Sequence, residues 1–157
     1  MRYVCAMWLF VGVLTTSTAA LSAETAVAIR QLPRIVLRAV NTKFPDAKML
    51  EAMKDVDHQG TSYDVLIVHK SQKINVTVLE NGDVDSFEKE ITVKDLPAAV
   101  VTAIAKAHPK SVYKKIEACY EVDAGKDVFE HYAVDLETAG KKQATVNYNA
   151  DGTEVAE

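Results

Sequence analysis

Leu32-Pro33-Arg34-Ile35-Val36-Leu37-Arg38-Ala39-Val40-Asn41-Thr42-Lys43-Phe44-Pro45 and Leu96-Pro97-Ala98-Ala99-Val100-Val101-Thr102-Ala103-Ile104-Ala105-Lys106-Ala107-His108-Pro109 are the stretches on which the fold turns. Each opens on Leu-Pro and closes on a second proline, and the two lie at an offset of 64 residues. At that offset Val27, Ile29, Val36, Leu37 and Val40 meet Ile91, Val93, Val100, Val101 and Ile104. Farther along, an offset of 69 pairs Tyr63, Val65 and Ile67 with Tyr132, Val134 and Leu136. An offset of 70 then pairs Ile74, Val76, Val78 and Gly82 with Ala144, Val146, Tyr148 and Gly152. The offset changes where hairpin loops are expected, and loops tolerate insertion. The chain therefore reads as one unit written twice.

Within each unit the apolar period changes from helix to strand. Val36, Leu37, Val40 and Phe44 fall on one helical stripe, as do Val100, Val101 and Ile104. Pro33 suits a first helical turn, Pro45 and Pro109 cannot continue a helix, and Asp95 is placed to cap the second one. Tyr63, Val65 and Ile67 then alternate with Asp64, Leu66 and Val68, which is strand spacing with one inward face. Lys48–Val56 and Ser111–Val122 read as the first strand of each unit. Gly60 and Gly125 mark the hairpins after them, and Asn81-Gly82 and Asp151-Gly152 mark tight turns before a short final strand. The expectation is an α+β fold of two tandem repeats, 24–90 and 91–157, each one helix packed on an antiparallel sheet of about four strands. A unit of about 65 residues is marginal alone. The two are expected to support each other through a shared sheet or an end-to-end interface.

Residues 1–23 stand outside that pattern. Arg2, the apolar run Tyr3–Leu14 and the small, polar exit Thr15–Ala23 describe a secretory signal peptide, with cleavage after Ala23 or Ala20. The apolar run falls short of the roughly 20 residues of a membrane span. The mature chain is thus expected in the periplasm or secreted, with no stable membrane anchor. Removing Arg2 leaves 17 basic against 22 acidic side chains, and Cys119 becomes the single cysteine. It forms no internal disulfide, and either stays a thiol or pairs with another molecule.

The full chain has 157 residues, 48 % apolar and 25 % charged, with a net charge of −4. That is ordinary globular composition. A weakly acidic chain without a basic cluster is poorly suited to nucleic acid, where phosphate neutralisation supplies much of the affinity.

Leu96-Pro97-Ala98-Ala99-Val100, His108-Pro109, Tyr132-Ala133-Val134-Asp135-Leu136 and Asn149-Ala150-Asp151-Gly152 resemble the PepSY-like domain family, exported relatives of β-lactamase-inhibitor-fold modules. Leu32-Pro33, Phe44-Pro45, Tyr63-Asp64-Val65 and Asn81-Gly82 repeat the pattern more loosely, so the resemblance spans nearly all of 27–155. It implies a small exported binding module, with protein inhibition as the suggested activity. Relatives that inhibit β-lactamases hold their loops with disulfides, and the single mature cysteine departs from that.

No catalytic, metal or cofactor site is expected. His58, His69, His108 and His131 form no ligand spacing, and a zinc site needs three or four converging donors. Cys119 reads as an outward strand residue beside Glu117 and Glu121, whose carboxylates disfavour a thiolate. No phosphate-loop, dinucleotide or nucleophile-elbow motif occurs. What remains is a sheet face turned away from the helices. It is expected to carry Leu66, Val68, Asn75 and Thr77 in the first unit, and Glu117, Glu121, Asp135 and Asn147 in the second. Two uses of that face stay open: contact with an envelope or secreted protein, or packing between the units, since apolar Leu66 and Val68 serve either. A small-molecule carrier or small enzyme using a helix–sheet pocket is the alternative function.

Overall fold

Apolar residues at every second strand position and on one helical stripe demand a two-layer arrangement, helix over sheet. The computed structural model describes residues 24–155; the expected signal peptide lies outside the described residues. The order is β1 (Thr25–Ala26), a 3-10 turn, α1 (Arg34–Lys43), β2 (Lys48–Asp57), β3 (Gly60–His69), β4 (Gln72–Leu79) and β5 (Val84–Glu90). A second 3-10 turn, α2 (Ala98–Ala107), β6 (Val112–Asp123), β7 (Lys126–Glu137) and β8 (Gln143–Tyr148) complete it.

The strands form one antiparallel sheet in the order β1-β2-β3-β4-β5-β6-β7-β8. This corrects the expectation of two tandem helix-on-sheet units of about four strands each. The join is β5 against β6, with Ser86 opposite Glu121, Phe87 opposite Tyr120 and Glu90 opposite Glu117. The physical reason is the edge: a strand carrying Phe87 inward leaves a row of unpaired amides unless another strand takes it. The last stretch also differs from expectation. After Asp151-Gly152 the described residues form no full strand, and Glu154 makes an isolated bridge to Tyr148.

Both helices lie on the same sheet face. Val36 and Val40 of α1 pack with Tyr63, Val65, Ile67, Ile74, Val76, Val78 and Phe87. Val100 and Ile104 of α2 pack with Ile116, Val134, Leu136, Val146 and Tyr148. Each helix starts directly after its proline, with Pro33 and Pro97 in extended conformation at the N-cap. Asp95 caps the preceding 3-10 turn rather than α2, accepting bonds from the Thr92 amide (2.9 Å) and hydroxyl (2.7 Å). Between the two cores runs a row of rings. Phe44 meets Phe87 edge-on, Phe87 stacks on Tyr120 at 4.9 Å, and Tyr120 meets Phe129. Lys43, at the end of α1, reaches Asp127 on β7 and lies over the Phe87 ring.

Candidate functional site

The pleat sends the other half of each strand to the opposite face, and among the described residues neither helix covers it. Register places its side chains in rows. One row runs Leu66, Asn75, Glu88, Cys119, His131 across β3 to β7. A second runs Asp64, Thr77, Ser86, Glu121 across β3 to β6. Farther along, Glu117, Ala133 and Asn147 align, then Lys115, Asp135 and Thr145. Leu66, Val68, Asn75, Thr77, Glu117, Glu121, Asp135 and Asn147 therefore share one continuous face, all half-buried. Leu66 and Val68 are not pressed between two units, because the halves meet edge to edge at β5–β6.

The chemistry of this face is acidic and partly desolvated. Glu51, Asp64, Glu88, Glu90 and Glu117 surround a depression that also holds Leu66, Lys73 and Lys115. Glu24, Asp55, Asp85, Glu121 and Glu130 border a second one toward the β2–β3 hairpin. Burial, with Asp55 adding to it, pushes the Asp64 carboxyl up, although it accepts the Thr77 hydroxyl at 2.6 Å. Burial and Glu121 push Asp85 up. Burial, Asp64 and Asp55 do the same to Glu24. For Lys115 burial acts downward, but its Glu117 partner at 2.9 Å, with Glu88 and Asp135, prevails and holds its pKa up. Strand register gathers these carboxylates on one face. A bulge at Glu130, between Phe129 and His131, brings a further carboxylate to the patch, which no spacing in the sequence signals.

Cys119 faces outward, as its spacing implies, but it is buried, retaining 1 % exposure. Its cross-strand neighbour is His131, which hydrogen-bonds it. His131 is buried as well, at 9 % exposure. The pair escaped the sequence reading because no local spacing joins residues on different strands.

Among the described residues, the helix–sheet interface is lined by apolar side chains. Val36, Val40, Val65 and Val76 meet there with no exposed surface. Open space on the helix side lies beside α1, where Ile35 and Arg38 face the Ala124-Gly125 hairpin tip. Among the described residues no set of three His, Cys, Asp or Glu side chains is placed to hold a metal ion, and no helix is long and apolar enough to cross a membrane.

No family model matches the chain, and no curated protein matches it. Solved structures do. A BLIP-like protein from Bacteroides fragilis aligns over 80 % of this chain and 85 % of its own, with 17 % identity and a TM-score of 0.60. A DUF2874 family protein from Bacteroides uniformis aligns over 80 % and 87 %, with 14 % identity and a TM-score of 0.65. A protein from Bacteroides eggerthii, provisionally assigned to the periplasm, aligns over 79 % and 86 %, with 15 % identity and a TM-score of 0.65. The chain thus has a BLIP-like fold.

Proposed function

We propose that this chain is an exported, non-catalytic protein-binding module of PepSY-like type, whose open sheet face takes a basic surface of an envelope or secreted protein and modulates it. The observation that carries this reading is the acidic, partly desolvated face itself, with Leu66 set among carboxylates and Val68 beside it between Lys48 and Lys73. Apolar side chains within a face on which acidic groups outnumber basic ones give adhesion and steering together. The provisional periplasmic assignment of a structural neighbour supports export, as does the leader-like composition of residues 1–23. The filled helix–sheet interface tells against a small-molecule carrier or enzyme using that pocket.

The test is the double variant Leu66→Ser with Val68→Ser, measured beside wild type for binding of a fluorescent oligolysine peptide and for Tm. Neutral polar replacements leave the charge of the face unchanged and remove only the apolar contact offered to the peptide's lysine stems. The variant is expected to melt within a few degrees of wild type, because these side chains lie outside both cores. Wild type should hold the peptide in low salt and release it as salt screens the face. The variant should hold the peptide more weakly than wild type at every salt concentration. A variant that unfolds, or a wild type that ignores the peptide, sinks the reading.

A further inference from the structure

His131 lies in the middle of the open face, and the rows around it are known from every adjoining strand. On β6 its cross-strand partner is Cys119, flanked along the strand by Glu117 and Glu121. On β5, Glu88 stands opposite Cys119 and Glu90 opposite Glu117. On β7 itself Glu130 precedes it at the bulge and Asp135 lies beyond Ala133. Lys115, the nearby cation on β6, is engaged by Glu117. On β8 the position on this face is Asn147, and the terminal segment brings Glu154 to Tyr148. The imidazole Nε2 has no hydrogen-bond partner among the described residues.

We propose that His131, seated against Cys119 among these carboxylates, sets the pH range over which the open face holds a basic partner. This rests on the docking reading above and concerns its regulation. Protonation of the imidazole adds a positive charge amid the groups that attract the partner's lysines and arginines. A docked cationic surface in turn disfavours that proton, so binding and protonation oppose each other. In the unbound protein the Cys119 hydrogen bond raises the His131 pKa against the lowering effect of burial, with Cys119, Glu130 and Glu88 adding to it.

The signs of stability and binding differ, which gives the test its edge. A raised folded-state pKa stabilises the protein below the unfolded value, and that contribution is lost as pH rises through the folded value. Acidification should therefore strengthen the fold through His131 while weakening capture of the partner. Binding of oligolysine is measured from about pH 8 to about pH 5.5 for wild type and His131→Gln, with His131 followed by its Cε1–H proton resonance with and without peptide. Wild type should lose affinity on acidification by up to about ten-fold per pH unit more steeply than His131→Gln, the limit for release of one proton. The His131 titration should move downward when peptide binds. Equal pH slopes in the two proteins, or an unmoved titration, overturn this inference while leaving the docking reading standing. Absence of binding at every pH overturns both. If His131→Gln does not fold, the wild-type titration with and without peptide decides alone.

Discussion

Asp64 carries its charge against the grain of its surroundings. It is half-buried on β3, accepts the Thr77 hydroxyl, and has Asp55 on the same face. Its folded-state pKa is raised, so the folded protein binds that proton more tightly than the unfolded chain. Stability must then fall as pH rises from the ordinary aspartate value through the raised one, and stay depressed above it. Asp64→Asn keeps an acceptor for Thr77 and removes the charge. It should melt higher than wild type at neutral pH, with the difference closing as the solution is acidified. Thermal melts over a pH series check this. Of such residue-scale facts the sequence shows only part. Asp151-Gly152 announces a turn, and Gly152 does adopt φ +84°. What no spacing announces is that a Cβ there would lie 2.8 Å from the Ala99 carbonyl oxygen, because α2 docks on that turn.

The elements were legible where one side of each segment had to be apolar. Arg34–Lys43 and Ala98–Ala107 fall between prolines that admit a helix and then forbid it. Strands β3 and β4 follow from strict alternation, and their pairing puts Val65 opposite Val76 and Tyr63 opposite Val78. The site was legible to the same extent, since the side of the sheet a residue occupies is a matter of parity. Bulges break parity and carry no sequence signal: at Leu50, Asp85, Lys114 and Glu130 an extra residue shifts the register. Phe87 is the element-scale junction, at 1 % exposure, touching Phe44 and Tyr120 and lying under Lys43 and Lys89. Phe87→Ala should cost about 3–5 kcal/mol, as large aromatic truncations in cores do. Against a total margin of about 5–15 kcal/mol, denaturant melts should show a much earlier midpoint.

For the whole molecule, the expectation of two units failed at their junction. Sequence periodicity reports what lies above and below a strand, whereas the partner beside it is a backbone matter that side-chain pattern does not encode. Phe87 and Tyr120 carry the join, yet each reads as an ordinary inward residue in its own strand. The resulting strand order has a mechanical consequence. Neighbours in sequence are neighbours in space throughout, so Glu24 and Val155 lie at opposite margins of the sheet. A load applied between those margins acts across the strands, along their hydrogen bonds, and opens each ladder one rung at a time instead of shearing a whole strand at once. Tethered by these two positions in an optical trap, the molecule should yield at low force and in successive steps from the margins inward. Tethered instead at the two ends of β4, through Gln72 and Leu79, it should resist far harder, because the load then runs along a central strand held on both sides.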